Sequence, residues 1–242
     1  MLFRRIYQFL IVFSLGLCVL LGVKALWGLS DYVIPGPYLI FETARKLWAD
    51  YLMDVADTLS VTIMGQCVSI FLAFFVGILG RKSSFAGSNI QAYPIVALAP
   101  IIFILIGDGF ASRLLIASMI CYFPLLLSVI GVMSSPVKDI EHFYRETGRM
   151  RWQLEVKIRA FENLNKLTTV IAGSTTLAMA GTIVAEFIAA NAGIGYSIRI
   201  ALYQSDLAEI ITALFLIGIV VSLYQGTLEI LGEKIKRRWE SF

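Results

Sequence analysis

Residues 144–164 read YRETGRMRWQLEVKIRAFENL, and this stretch decides how the rest of the chain divides. It holds seven charges between Arg145 and Arg159, so it does not enter a bilayer. Apolar blocks of spanning length flank it on both sides. Of the chain's 242 residues, 58% are hydrophobic and 15% charged, well below the roughly 25% charged residues of soluble domains. Mean hydropathy is +0.81. A large soluble domain is excluded, and the chain reads as a polytopic membrane protein interrupted by one polar island.

A bilayer core of about 30 Å takes about 20 mostly apolar residues per helix. The blocks next to the island fall at about 113–134 and 167–190; farther out lie 90–107, 58–80 and 6–23 on one side and 208–231 on the other. Pro94 and Pro100 interrupt the block at 90–107, which is expected to be a kinked span whose freed carbonyls are met by neighbouring helices. Arg4 and Arg5 precede the first block, as in a signal peptide. No small-x-small cleavage site follows, and Lys24-Ala-Leu-Trp27 has the character of an interfacial end, so a retained helix is expected. The segment 24–57 contains Pro35 and Pro37 and is expected to carry a short surface helix around Phe41–Tyr51. The expected fold is therefore a single all-α transmembrane domain over 1–242. It has about six spans, with residues 135–166 forming a loop between the fourth and fifth.

Cations give the orientation. With both termini inside, fifteen of the twenty Lys and Arg residues fall on the inner side, seven of them between Lys138 and Lys166. Lys24, Arg45, Lys46, Arg113 and Arg199 are left outside. The positive-inside rule thus puts the island and both termini in the cytoplasm. This asymmetry accounts for the net charge of +3, so no nucleic-acid partner is inferred. Cys18, Cys67 and Cys121 each lie within an apolar block without CxxC spacing, and read as buried small hydrophobes. His142 is the one histidine. No metal site and no catalytic set is expected.

The island splits at Gly148. Before it, Ile140, Phe143, Tyr144 and Thr147 recur on one helical face; after it, Trp152, Val156 and Ala160 do the same. Glycine between two such patterns suits a tight turn, because it takes positive φ without steric cost. Two short amphipathic helices joined by a turn are expected. An interfacial hairpin resting on lipid headgroups is one reading. Against it, Asp139, Glu141, Glu146, Glu155 and Glu162 nearly cancel the island's cations. The turn also concentrates Arg149, Met150, Arg151 and Trp152, a mixture typical of protein-interface anchors. A protein partner is the favoured reading.

In the apolar half, Thr58, Thr62, Gln66, Ser69, Ala73 and Gly77 line one face of the second span. That face is either a wall of a translocation path or a helix-packing surface, where small residues admit close approach and hydroxyls bond across helices. Gly181, Ala185 and Ala189 repeat the small-residue pattern in the fifth span. Beside them stands Glu186, an acid well inside an apolar block and therefore a functional candidate by default.

At the island the chain resembles the integral-membrane permeases of bacterial binding-protein-dependent ABC importers, whose cytoplasmic signature is EAA-x3-G-x9-I-x-L-P. With the signature glycine on Gly148, its isoleucine falls on Ile158. The run GRMRWQLEVKI (148–158) is similar to that of the subfamily serving nitrate, taurine, alkanesulfonates, bicarbonate and thiamine-precursor pyrimidines. YVIPGP (32–37), LAPIIFILIGDG (98–109) and VAEFIAANAGIGYSI (184–198) resemble further segments of that subfamily. Two elements depart: Glu-Ala-Ala falls on His142-Phe143-Tyr144, and Leu-Pro on Ala160-Phe161.

The resemblance implies a type I ABC importer permease, a non-catalytic subunit that translocates a small polar solute. The island would be its coupling helix, with Phe143, Tyr144, Thr147, Gly148, Arg149, Met150, Arg151 and Trp152 at the ATPase contact. The partners implied are cytoplasmic ATPase subunits that bind ATP and Mg, an extracytoplasmic substrate-binding protein and a second permease copy. The bacterial inner membrane is the implied location. The chain itself has no GxxxxGK[ST] phosphate loop and is expected to bind no cofactor. The family carries a matching acid before the NAGIGY turn, which implies an outer-gate role for Glu186 and Asn191, with direct substrate contact as the other reading. An ion-coupled secondary carrier is the alternative from a different class. It lacks support from an internal repeat or from an evident intramembrane partner for Glu186.

Overall fold

The computed structural model describes residues 2–80, 95–135, 137–148 and 151–240. These residues form nine α-helices: α1 (Leu2–Trp27), α2 (Pro37–Gly80), α3 (Ile95–Ile106), α4 (Phe110–Ser134), α5 (Lys138–Glu146), α6 (Trp152–Glu162), α7 (Leu164–Ala189), α8 (Ile194–Tyr203) and α9 (Leu207–Glu240). Among the described residues, five helices are long and apolar enough to cross a membrane, namely α1, α2, α4, α7 and α9. The shorter apolar α3 supplements them. Residues 90–94 of the block expected at 90–107, including Pro94, lie outside the described residues; Pro100 sits inside α3.

Between Trp27 and Gly80 the structure departs from the expected pattern. A short surface helix around Phe41–Tyr51 was to be separate from the second span, whereas α2 runs unbroken for 44 residues, about 66 Å at 1.5 Å per residue. Pro37 occupies the first helical position, where its missing N–H costs nothing. From there to Gly65 the sequence has no glycine or proline. Hydropathy falls across this stretch while helix propensity does not, and Glu42 pairs with Lys46 one turn on at 2.7 Å.

The core is a bundle of α2, α4, α7 and α9, with α2 against α4 and α4 against α7 as its closest seams. The small residues noted in the sequence make these seams possible. A Cβ on Gly77 would lie 2.6 Å from Val129 Cγ1, and one on Gly181 would lie 3.2 Å from Ala117 Cα. α1 packs outside this core against α9, where Phe9 and Phe13 meet Phe215 with ring centroids 6.0 and 4.9 Å apart. The bundle has two ends. One carries α5, α6, the start of α1 and the end of α9, and is called the island end below. The other carries α8 and the α7–α8 turn.

Candidate functional site

At the island end the chain turns between α5 and α6 at Gly148, whose φ is +66°. The face of α5 that points into the protein is not the apolar one. Phe143 is 63% exposed and packs edge-to-face on Tyr144, with centroids 5.6 Å apart; Thr147 is exposed as well. The inward residue is Glu141, which meets Arg159 of α6 in a two-pronged pair. Arg159 Nε donates to Glu141 Oε1 at 2.6 Å and Nη2 to Oε2 at 2.8 Å. Arg159 also donates to the Met133 carbonyl at the end of α4, and its Nη2 lies 2.9 Å from Glu155 Oε1. The Val137 amide donates to Glu141 Oε1 at 3.1 Å. Hydrogen bonding to Glu141 raises the Arg159 pKa above its ordinary value against the opposing effect of burial, so the guanidinium stays charged.

One polar knot thus ties α5, α6 and α4 together. Val156 and Ala160 complete the junction by packing on Val129, Val132, Met133 and Leu167. The result is a hairpin held firmly to the bundle, with Phe143 and a 55% exposed Trp152 on its outer surface. Arg151 precedes α6 as its N-cap residue and is exposed. Arg149 and Met150, expected at the same turn, lie outside the described residues.

In the middle of the bundle the side chains of Thr58, Thr62, Gln66 and Ser69 all point inward and are buried. Thr62 Oγ1 lies 3.0 Å from Thr182 Oγ1. The Gln66 amide donates at 2.9 Å to the Ile171 carbonyl and to Ser174 Oγ, and Tyr224 OH donates to Gln66 Oε1 at 2.6 Å. Ser69 donates to the Ser118 carbonyl at 2.8 Å. Each of these bonds crosses from α2 to another helix. A second polar stripe escaped the sequence reading. Thr169, Gly173, Thr176 and Ala180 recur every three or four residues along the exposed side of α7, although the rest of that helix is central to the core. Its signal was available as a small or polar residue at each of these positions in an apolar block, but exposure could not be read without the fold.

At the opposite end, Glu186 is fully buried and its carboxylate is satisfied from three elements. The Thr58 hydroxyl lies 2.8 Å from Oε2, the Gly195 amide donates to Oε2 at 3.0 Å, and Arg113 Nη1 approaches Oε1 at 3.4 Å. Thr58 Oγ1 in turn accepts from the Ile194 amide at 2.9 Å. Arg113, which the sequence placed among the outer cations, is itself buried and bridges to Asp57 at 2.6 Å. Burial of an acid at this depth is tolerable because each oxygen finds a donor.

Two glycines make room for it. A Cβ at Gly193 would sit 2.2 Å from Glu186 Oε1, and one at Gly195 would sit 2.6 Å from the Ile183 carbonyl. Gly193 also has a φ of +92°, which only glycine adopts without strain. The turn therefore folds over the carboxylate and starts α8. Asn191 is not part of this cluster. It is exposed and donates to Asp108 before α4.

Comparison with known proteins gives a family match over residues 56–240, to the binding-protein-dependent transport system inner membrane component. A riboflavin transport system permease protein of Chloroflexus aurantiacus is 35% identical over 153 residues, covering 62% of this chain and 56% of that protein. A formylaminopyrimidine transport permease protein of Halalkalibacterium halodurans is 23% identical over 227 residues, 90% of this chain and 91% of that protein. A probable ABC transporter permease protein of Haemophilus influenzae is 22% identical over 208 residues, 79% of this chain and 81% of that protein.

Proposed function

Because the chain belongs to the binding-protein-dependent transport system inner membrane component family, we propose that two copies form the membrane pathway of an ABC importer whose ATPases grip the α5–α6 hairpin. Family membership makes it a multi-pass inner-membrane permease component, with ATPase and substrate-binding proteins as partners in general. The secondary-carrier alternative is not favoured by these relationships. The observation that carries the mechanistic reading is the hairpin: exposed Phe143 and Trp152 on a unit clipped to α4 by Glu141 and Arg159. A coupling element needs both an anchor for its partner and a stiff link to the bundle.

In this reading the island end and both termini face the cytoplasm. Tyr144, Thr147, Gly148, Arg149, Met150 and Arg151 complete the docking surface around the two aromatic anchors. Closure of the ATPases on ATP and Mg pulls the hairpin, and with it α4. The solute passes along the exposed stripe of α7, between the two copies, while Thr58, Thr62, Gln66 and Ser69 hold α2 to its neighbours. Glu186 and its donors brace the outer gate, with Asn191 and Asp108 at the rim where a substrate-binding protein delivers its load. The two relatives named for riboflavin and formylaminopyrimidine transport favour a small nitrogen heterocycle as the solute.

Crosslinking in native membranes followed by purification tests the reading. An ABC-type ATPase should be recovered with the wild-type chain and lost from Trp152→Ala and Gly148→Pro. Uptake by vesicles should require ATP and the binding protein. Uptake driven by an ion gradient in the absence of ATP would refute it.

A further inference from the structure

The island end also holds a partly open cavity of about 470 Å³ between α1, α7 and α9, which meets the exposed α7 stripe only at Thr169 and whose cations the transport reading does not use. Arg4 and Arg5 of α1, Asn165 and Thr169 of α7, and Lys236 of α9 stand on its walls. All five lie within a few residues of the ends of apolar blocks: Arg4 and Arg5 before 6–23, Asn165 and Thr169 at the start of 167–190, and Lys236 after 208–231. The cavity is therefore at headgroup depth, whichever side of the membrane the island faces. Its three cations outnumber the carboxylates of Glu229 and Glu233. Arg5 is committed to Glu229, with Nε at 3.2 Å from Oε2, which ties α1 to α9 and fixes that wall. Glu233 is the second carboxylate on the walls. Toward the membrane centre the same helices expose apolar surface, with Tyr7 65% and Leu231 53% accessible.

We propose that this cavity seats the headgroup of an anionic phospholipid. Its phosphodiester would be held by Arg4 and Lys236 with amide donors from Asn165 and Gln8, and its acyl chains would lie along α1 and α9. A free phosphate would satisfy the same cations, but it would leave the adjoining apolar surface without a role. Basic pockets between helices at headgroup level are the setting in which anionic lipids bind specifically rather than through diffuse charge. The occupant would reinforce the attachment of α1, which packs on the bundle through α9. The proposal rests on the chain being membrane-embedded and not on the coupling mechanism.

Native mass spectrometry of the full chain released from nanodiscs of phosphatidylglycerol and phosphatidylcholine tests it. Three variants separate a seat from a general positive belt. Arg4→Gln/Lys236→Gln empties the cavity of two cations. Lys234→Gln/Arg237→Gln removes the same charge from exposed positions on α9. Arg4→Lys/Lys236→Arg preserves charge and controls for folding. Retained phosphatidylglycerol should fall about tenfold in the first variant and change less than about twofold in the other two. Phosphatidylcholine should be indifferent to all three, and millimolar inorganic phosphate should not displace the bound lipid. Equal losses in the two charge-removal variants would overturn the seat in favour of diffuse attraction. Full displacement by inorganic phosphate would overturn the lipid in favour of a free anion. Neither result would touch the ATPase-docking reading, whose residues lie on α5 and α6.

Discussion

The Glu141–Arg159 pair offers the sharpest test of how the hairpin is held. Glu141 is 2% exposed and Arg159 8%, so solvent screening is minor and the pair counts as buried. Removing one partner of a buried pair costs about 3–5 kcal/mol. Glu141→Gln should fall at the lower bound, because Arg159 keeps Glu155 at 2.9 Å and the Met133 carbonyl. Arg159→Met should fall at the upper bound, since it leaves the Glu141 carboxylate buried without its guanidinium. A loss of about 3 kcal/mol multiplies local opening by about 150-fold. Hydrogen exchange over residues 139–161 should show that rise while amides in α4 and α7 change little. The paired replacement Glu141→Leu/Arg159→Met should recover most of the loss, because an apolar pair of similar volume can replace a buried ion pair without net cost. A double-mutant cycle closed with Glu141→Leu and Arg159→Met as its single variants should then give a coupling close to the sum of the two single losses. In vesicles with the ATPase, solute moved per ATP should fall in both single variants and recover in the double. Unchanged exchange in the single variants, or strictly additive effects, would refute the idea that this pair is the stiff link.

Other positions give independent tests. Gly195→Ala places a methyl 2.6 Å from the Ile183 carbonyl, a backbone atom unable to swing away. Its thermal midpoint should fall by the equivalent of about 1–3 kcal/mol; an unchanged midpoint would refute close packing of the turn over Glu186. Thr58→Val strips Glu186 of a donor and the Ile194 amide of its acceptor. It should cost about 1–3 kcal/mol, and Thr58→Ser should restore stability. An added Cβ at Gly173 meets nothing within 4 Å in the single chain, and Gly173→Leu on this exposed face improves helix propensity, by up to about 0.8 kcal/mol. Stability should hold while uptake is lost, and normal uptake would move the path away from the α7 stripe. Phe143→Ala should weaken ATPase recovery by about 5- to 30-fold, the effect of losing a docking anchor worth about 1–2 kcal/mol; unaltered recovery would place the contact elsewhere on the hairpin.

What the sequence made legible follows from local physics. Spanning helices appear as runs of hydropathy, and small residues every four positions mark where backbones approach closely. The extension of α2 was hidden because hydropathy and helix propensity part company between Pro37 and Asp57. The first falls at the membrane surface, while the second continues. α8 was hidden because IGYSIRIALY is short and follows a glycine turn. The polar knots were harder still. Glu141 and Arg159 are 18 residues apart, and Arg113 and Glu186 are 73 apart. Pairing the latter requires knowing that α4 and α7 are neighbours. The island's apolar face was read from periodicity, and such a face ordinarily points inward. Here burial of a neutralised ion pair turns Phe143 outward, which periodicity alone does not reveal.

The two knots share α4. Arg113 near its start bridges to Asp57 and Glu186, and Met133 near its end accepts from Arg159. Twenty residues separate these positions, about 30 Å of helix, close to the thickness of a bilayer core. Between them α4 is pinned to α2 where Val129 fills the space beside Gly77, and to α7 where Ala117 lies against Gly181. Sliding α4 along either neighbour would drive side chains into backbone, since these contacts have no slack. Rotation of α2, α4 and α7 together breaks none of them. A pull on the hairpin would therefore reach the Glu186 cluster as a rigid-body movement of the three helices, rather than as a wave of local rearrangements. The seam left free to change is the exposed side of α7, where a Cβ added at Gly173 would meet nothing within 4 Å. In the proposed dimer this is also the surface on which a second copy would close, so the part of the bundle least committed to its own core is the part the proposed mechanism would move.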